Sequence, residues 1–429
     1  MRRGVINLDT NPYKLLLLIF HKSRFQLRSL TWFLGLTLFV APAPSCKKDV
    51  TQAEPITTAP AVPQTGQLLS STLIGEYSTS DLASRIAEVP LAGALIKYPI
   101  KSYKLTYNTL NTDGKVITAS GALLVPVVQQ PLALLSYQHG TIQPSANGDN
   151  GPSAYRSGSE VWSAVSVVAS TGYIVSAPDY IGYGASKAYP HPYEHAASLA
   201  SASLDMMRAA RQFCEQQQVQ MNQKNFLLGY SEGGFATLAL HKLIEEKYAN
   251  EFTVTACAPG AGAYHKSAFA DYILNSDKPL NFLSTYVWVL DTYNRVYGIN
   301  RPLSYYFKAP YAEQLKANVF SNVPDYPSQL FTDVFRNGIL QKTDAKMLAA
   351  FHDNDIYDWK PTAPLALFHG TADDYVPFFN SQDAYNAMQA RGAKQVALRP
   401  IQGGNHFTSV ATYTLAAYAF ISQYNTEVK

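Results

Sequence analysis

Gly229-Tyr230-Ser231-Glu232-Gly233-Gly234 is the stretch of sequence that decides the fold. An apolar run precedes it, and the apolar spacing of an amphipathic helix follows it. Gly229 and Gly233 permit a turn so tight that the Ser231 hydroxyl is exposed above the edge of a sheet. The pattern G-x-S-x-G between a strand and a helix therefore predicts a nucleophilic serine. The alternative is a tight turn that contains an incidental serine.

Short apolar runs alternate with helical patterns over most of the remaining chain. Strands are predicted at residues 132–138, 173–177, 225–229, 252–256, 364–368 and 396–401, and helices at 81–88 (capped by Ser80), 161–170, 196–214, 234–246 and 409–424. Asn111-Thr112-Asp113-Gly114 joins residues 101–110 to 115–125, which predicts an antiparallel hairpin. The alternation predicts an α/β fold, with a mostly parallel central sheet and helices on both faces.

Residues 266–360 interrupt this alternation between two predicted core strands. They contain eighteen aromatic residues in 95, about 19%, against 12% in the whole chain. We interpret them as an inserted cap domain whose aromatic side chains line an apolar pocket, which would favour long acyl chains if it is deep. The alternative is that they fill the cap's own core. The main domain is then predicted in two parts, residues 68–265 and 361–429.

A serine hydroxyl becomes a nucleophile only when a base accepts its proton and a carboxylate orients that base. Two predicted strands after the cap run into loops that carry such groups. Asp373 follows residues 364–368, and His406, the only histidine after Asp373, follows residues 396–401. Parallel strands end at the same edge of a sheet, so we expect Asp373 and His406 to meet Ser231 there.

Acyl transfer also needs backbone donors for the oxyanion that forms on the substrate. The N–H of Glu232, the residue after the nucleophile, is one candidate. The second is the N–H of Thr141, because Gly140 lets the backbone of that loop approach closely. The side chain of Glu232 is expected to point to solvent.

With these motifs the sequence resembles the secretory lipase group of the α/β-hydrolases, which includes fungal lipase A-type enzymes. The resemblance is carried by Tyr137-Gln138-His139-Gly140-Thr141, by Ala177-Pro178 and residues 179–184, by His191-Pro192-Tyr193, and by the turns at Ser231, Asp373 and His406. It implies hydrolysis of small-molecule or lipid carboxylic esters under a cap, without a metal or an organic cofactor. It also favours Asp373 over Asp374, because the spacing to Val376-Pro377 is similar to the acid turn of the superfamily.

Two other classes of protein remain open. A serine peptidase of the prolyl-oligopeptidase type has the same turn and the same order of residues. Such peptidases usually carry a large N-terminal propeller, for which residues 1–95 are too short. A non-catalytic, hydrolase-like binding protein typically lacks one member of the triad, whereas this sequence has all three. No pattern in the sequence predicts the acyl group, the alcohol or the oligomeric state.

Residues 1–46 have the composition of an export signal. Their apolar runs, 15–20 and 30–41, are shorter than the roughly 18–20 residues of a membrane-spanning helix. Ala43-Pro44-Ser45-Cys46 resembles the end of a bacterial lipoprotein signal, although Ala43 stands where leucine is usual. We predict an outer-membrane or cell-surface lipoprotein anchored at Cys46, with residues 47–67 as a flexible linker. The alternative is a periplasmic or secreted protein cleaved near Ala43.

The charge of the chain excludes a nucleic-acid-binding protein. The net charge is +3, but residues 1–46 hold six basic residues and one acidic residue, so the remainder carries −2. A surface this close to neutral has no basic patch for a phosphate backbone. Cys46, Cys214 and Cys257 are too far apart for a zinc motif, and outside the cytoplasm Cys214 and Cys257 either pair or stay as buried thiols.

We expect Cys46→Ser to move the protein from the membrane fraction to the soluble fraction without changing its specific activity on esters. The reason is that a lipid on Cys46 is the predicted anchor, while the linker separates it from the folded domain. Cell fractionation and the intact mass of the N-terminal peptide measure this. A wild-type protein that is already soluble and carries no acyl mass would contradict it.

Overall fold

A computed structural model describes residues 65–87, 93–143 and 153–425 of the chain. Within these ranges the centre is a nine-stranded sheet of order β1-β2-β3-β5-β4-β6-β7-β8-β9. The strands are β1 Leu68–Tyr77, β2 Ile100–Leu110, β3 Val116–Pro126, β4 Leu132–Gln138, β5 Tyr173–Pro178, β6 Met221–Tyr230, β7 Val254–Gly260, β8 Leu365–Gly370 and β9 Val396–Ile401. Strands β4 to β9 pair in parallel, whereas β1, β2 and β3 pair antiparallel. The predicted fold class is therefore confirmed.

The described residues also form twelve α-helices, some of which cover the two faces of this sheet. They are α1 Thr79–Arg85, α2 Ser166–Ser170 with a preceding π-helical turn Val161–Val165, α3 Ala196–Gln216, α4 Glu232–Lys247, α5 Lys266–Asn275, α6 Leu283–Val296, α7 Tyr311–Ala317, α8 Pro327–Leu330, α9 Asp333–Leu340, α10 Ala345–Asp353, α11 Phe379–Ala390 and α12 Ser409–Ser422. Successive strand residues face opposite sides. Leu134 packs with α3 and α4, whereas Leu135 packs with α2 and α12. None of these helices is long and apolar enough to cross a bilayer.

The strand β1 is absent from the sequence prediction. Its residues, Leu68–Tyr77, mix leucine, serine and threonine without alternation, and most of them are exposed. β1 pairs only with β2, so it forms one edge of the sheet. An edge strand with little buried surface leaves no periodic apolar signal, which explains the omission.

Several predicted boundaries were wrong, and two of them have a clear physical reason. The first helix is capped by Ser78 rather than Ser80, because Ser78 Oγ accepts from the Asp81 N–H at 3.1 Å and the Asp81 carboxylate accepts from the Ser78 N–H at 2.8 Å. Strand β7 runs four residues further than predicted, to Gly260. Its Pro-Gly end stays extended because it pairs in parallel with the end of β6.

The helices α5 to α10, between β7 and β8, have a hydrophobic core of their own. Most aromatic side chains of this region are buried in it, including Trp288, Tyr293, Phe307, Phe331 and Phe335. The aromatic excess in the sequence is thus mainly the packing of this region. Only a few of its aromatic residues reach the site described below.

The two cysteines of the described ranges are separate. Cys214 in α3 and Cys257 in β7 are both buried free thiols, and both belong to the core between the sheet and the α3–α4 layer. Of the two alternatives from the sequence, the structure contains the unpaired one. Burial raises the pKa of the Cys214 thiol to about 12, so this thiol stays protonated at neutral pH.

The start of α4 lies directly against the backbone of two strands. A Cβ atom added at Gly234 would come within 2.0 Å of the Gly260 carbonyl oxygen, and one added at Gly233 within 2.1 Å of the Gln138 carbonyl oxygen. Backbone atoms cannot move aside as a flexible side chain can. Glycine is therefore required at both positions for the helix to seat on β4 and β7.

We expect Gly234→Ala to lower the free energy of unfolding by about 1–3 kcal/mol or to prevent folding, because it overpacks backbone against backbone. Urea unfolding followed by circular dichroism measures this. Gly93→Ala is the matched control, since no described atom lies within 4 Å of the position that its Cβ would take, and it should change stability by less than about 0.5 kcal/mol. Equal stability of the two variants would contradict the packing argument.

Candidate active site

Ser231 stands at the junction of β6 and α4 in a strained backbone conformation. Its φ is +62° and its ψ is −125°, in a region that residues with a Cβ rarely adopt. Two backbone hydrogen bonds hold it there. The Ser231 N–H donates to the Gly260 carbonyl at 2.9 Å, and the Phe235 N–H donates to the Ser231 carbonyl at 3.0 Å. The side chain is half-buried at the carboxyl end of β6.

The structure brings Ser231, His406 and Asp373 together in one series of hydrogen bonds. The distance from Ser231 Oγ to His406 Nε2 is 2.9 Å, and that from His406 Nδ1 to Asp373 Oδ2 is 2.8 Å. With Nδ1–H donating to the carboxylate, Nε2 is left as the acceptor for the serine hydroxyl. Asp374, the neighbouring acid, is exposed and takes no part.

Aromatic residues fix the orientation of the His406 imidazole. Tyr375 stacks on it with ring centroids 4.9 Å apart, and Tyr230 lies 5.3 Å away on another side. The Tyr230 hydroxyl also donates to the His406 carbonyl at 2.7 Å. His406 is consequently buried, with 3% of its surface exposed.

The acid turn holds Asp373 as a charged carboxylate. Burial by itself would raise its pKa, but hydrogen bonds and charge from His369 and His406 outweigh burial, and the pKa falls well below its usual range. The other oxygen, Oδ1, accepts from the N–H groups of Tyr375 at 2.9 Å and Val376 at 2.8 Å. His369 braces this turn through its own contact with the Val376 carbonyl at 2.7 Å.

The two predicted oxyanion donors have no acceptor among the described residues. Glu232 N–H is in the first turn of α4, where no helical carbonyl is available. The Thr141 N–H follows Gly140, whose own N–H donates to Glu160 at 2.7 Å and is therefore occupied. The loop lies beside the nucleophile turn, since a Cβ at Gly140 would be 3.4 Å from the Tyr230 carbonyl oxygen.

The prediction that the Glu232 side chain points to solvent was wrong. Glu232 is 1% exposed, and its Oε1 lies 2.6 Å from Nε2 of His191. His191 Nδ1 faces the Ile181 carbonyl at 2.7 Å, and a carbonyl only accepts, so Nδ1 carries a hydrogen. The short contact to Glu232 then requires a second hydrogen between the two side chains. The pair is thus net neutral, and it ties the residue after the nucleophile to the loop that precedes α3.

The residues of this pair gave little signal in the sequence. His191 lies in a segment quoted for the family resemblance, but its partner is 41 positions away. The only local sign at Glu232 is an acidic residue at the start of a helix whose next nine residues are all buried. A carboxylate in such a place needs a buried partner.

A narrow cleft lies above Ser231, with an empty volume of about 300 Å³ that includes space open to solvent. It is bounded by the loop that precedes α3, by helices α5 and α6, and by the turn that carries Asp373. Its lining residues are Tyr193, Glu194, Ser231, Phe269, Phe282, Thr285, Tyr286, Val289, Tyr375 and Val376. In the described ranges no cluster of three or more His, Cys, Asp or Glu side chains is arranged to hold a metal ion.

Comparison with protein families gives a match over most of the chain. A family model described as secretory lipase matches residues 158–427, which include all three residues of the hydrogen-bonded series. A search of curated proteins found no significant match.

Solved structures give further similarities. A hydrolase-like protein from Legionella pneumophila is 25% identical, with a TM-score of 0.76, over 84% of this chain and 99% of that one. The rice cell wall degrading esterase LipA from Xanthomonas oryzae is 27% identical, with a TM-score of 0.71, over 84% of this chain and 97% of that one. Candida antarctica lipase A in its closed state, at 17% identity, a TM-score of 0.62 and 86% and 85% coverage, shares the fold.

We expect Asp373→Asn to lower kcat by about 10⁴-fold, as in serine protease triads, because an amide at this position no longer holds the imidazole in the tautomer that accepts from Ser231. Asp374→Asn is the matched control and should keep most of the activity, since Asp374 is exposed. Turnover of one chromogenic ester by both variants measures this. The reverse pattern would assign the acid to Asp374.

Proposed function

The chain belongs to the secretory lipase family, and on this basis we propose that it hydrolyses carboxylic esters through a Ser231–His406–Asp373 triad. Ester hydrolysis follows from the family itself. The observation that carries the triad is the unbroken series of hydrogen bonds, 2.9 Å from Ser231 to His406 and 2.8 Å from His406 to Asp373. This series has the geometry that nucleophilic catalysis by a serine requires.

In the first half of the reaction, Ser231 Oγ attacks the ester carbonyl while His406 Nε2 accepts the serine proton. Asp373 keeps the imidazole oriented and stabilises the imidazolium that forms. The negative charge that develops on the carbonyl oxygen is stabilised by the N–H groups of Thr141 and Glu232. The N-terminus of α4 adds its dipole to this stabilisation.

The tetrahedral intermediate collapses when His406 donates its proton to the leaving alcohol. The acyl group then remains on Ser231 as an ester. In the second half, His406 takes a proton from water, the resulting hydroxide attacks the acyl-enzyme, and Ser231 leaves with that proton. The sequence consumes one ester and one water and releases an alcohol and a carboxylic acid.

The peptidase alternative has less support. The inserted helices α5 to α10 lie between β7 and β8, and no propeller occurs in the described ranges. The cleft above Ser231 is also narrow. A non-catalytic binding role does not require three side chains hydrogen-bonded in series behind a strained serine. Comparing a chromogenic ester with an aminoacyl anilide separates the esterase from the peptidase.

We also propose that the protein is exported and held at a membrane by a lipid on Cys46. Cys46 and residues 47–64 of the predicted linker lie outside the described residues. The predicted end of the linker at residue 67 was wrong, because residues 65–67 already pack on the folded domain, where the Gly66 N–H donates to the Asn108 carbonyl at 2.7 Å. The proposal is supported by the small-residue segment before Cys46 and by the description of the family as secretory. A periplasmic or secreted protein without a lipid is the alternative.

We expect Ser231→Ala to lower kcat by about 10³–10⁶-fold while the substrate still binds, because the nucleophile is lost but the cleft is not. A fluorophosphonate should label the wild type at Ser231 and leave the variant unlabelled. Steady-state kinetics with one chromogenic ester and mass spectrometry of the labelled peptide measure both effects. Full activity in the variant would end the assignment of Ser231 as nucleophile.

A further inference from the structure

We propose that the cleft above Ser231 selects esters that carry a hydroxyl group close to the ester carbonyl, and that Glu194 binds this hydroxyl. The inference rests on the proposed function and names a substrate class for the same site. It differs from the expectation, drawn from the aromatic excess of residues 266–360, that the pocket is apolar.

Glu194 is held rigidly at the edge of the cleft. Its φ is +51°, and its carbonyl accepts a hydrogen bond from the Tyr293 hydroxyl at 2.9 Å. Its carboxylate oxygen Oε2 accepts from the Nζ of Lys266, the first residue of α5. Both side chains are more than nine-tenths buried. The carboxylate therefore keeps one position relative to Ser231.

The second carboxylate oxygen of Glu194, Oε1, has no hydrogen-bond partner among the described residues. Glu194 lines the cleft together with Ser231, so this oxygen is available to a bound molecule. An apolar acyl chain lying over it would remove water without replacing the hydrogen bond, which is unfavourable. A hydroxyl group in the same place would donate to it.

A second residue that lines the cleft also carries an unpartnered polar atom. The hydroxyl of Tyr286, on α6, is buried and has no hydrogen-bond partner among the described residues. The neighbouring hydroxyls of Thr285 and Tyr375, by contrast, bond to each other. Two cleft-lining residues with unpartnered polar atoms fit a ligand that supplies donors and acceptors of its own. A hydroxyl group supplies both.

The charge of the site also suits a neutral hydroxyl. Burial raises the pKa of Glu194 and lowers the pKa of Lys266, while each partner opposes that change in the other. The pair is net neutral, so it has no excess charge to attract an ion. The discrimination that results is between polar and apolar esters of the same size.

The test compares matched esters with the full-length protein. One arm uses 4-nitrophenyl butyrate against 4-nitrophenyl 3-hydroxybutyrate, which places the hydroxyl in the acyl part. The other uses propyl butyrate against 2,3-dihydroxypropyl butyrate, which places it in the alcohol. We expect kcat/KM to favour the hydroxylated ester by roughly 10–100-fold in at least one arm. The responding arm identifies which half of the ester faces Glu194.

Two variants then assign the effect to residues. Glu194→Gln and Tyr286→Phe should each reduce the wild-type preference by about tenfold in that arm. Tyr286→Phe removes only a hydroxyl group from a buried side chain, so we expect this variant to fold. It therefore tests the substrate preference even if Glu194→Gln does not fold. Tyr173→Phe is the matched control, a buried tyrosine at the amino end of β5, away from the cleft, and it should keep the full preference.

A wild-type ratio of one or below in both arms overturns the inference and leaves the proposed function intact. The inference is also overturned if Tyr286→Phe keeps the wild-type ratio and Glu194→Gln, where it folds, keeps it as well. If no ester is hydrolysed at all, including the unsubstituted ones, the proposed function fails and the inference fails with it.

Discussion

The rest of the structure depends on the contact between the first turn of α4 and the backbones of β4 and β7. Gly229, Gly233 and Gly234 allow this contact, since a methyl group at any of them would fall within 2.3 Å of a backbone oxygen. Close seating of the helix forces Ser231 into its positive φ and lifts its hydroxyl over the sheet edge. It also places the first N–H of α4, the proposed oxyanion donor, in the same turn. The proposed nucleophile and the proposed oxyanion donor thus depend on one steric constraint.

Buried polar pairs connect this turn to the elements above it. Glu232 and His191 join the start of α4 to the loop before α3, and Glu194 and Lys266 join that loop to α5. Each pair brings its charges together so that the buried site remains net neutral. Removing one partner would leave the other uncompensated, which costs far more than the net contribution of the pair. The loop at residues 191–194 therefore connects the catalytic turn with the helices that bound the cleft.

Much of the fold could be predicted because its signals are local. Short stretches of sequence are enough to predict the apolar strands β4 to β6 and β8 to β9, and the hairpin of β2 and β3. The edge strand β1 buries too little apolar surface to show a periodic pattern. The places of Ser231, Asp373 and His406 could be predicted for a related reason. Each follows a parallel strand, and parallel strands end at one edge. The aromatic content of residues 266–360 was less informative, since a helical core and an apolar pocket need the same side chains.

The sequence by itself determined the tight turn at Ser231, the order of the serine, the acid and the histidine, and the parallel sheet that brings them together, because each strand and each turn is a pattern within a short stretch of the chain. Only the tertiary structure decided which polar side chains are buried beside them. His191 and Glu232 are 41 positions apart, and Glu194 and Lys266 are 72 positions apart. Whether such a side chain faces water, a partner or a cleft depends on segments that come together only after folding. A local sequence pattern therefore does not predict these contacts.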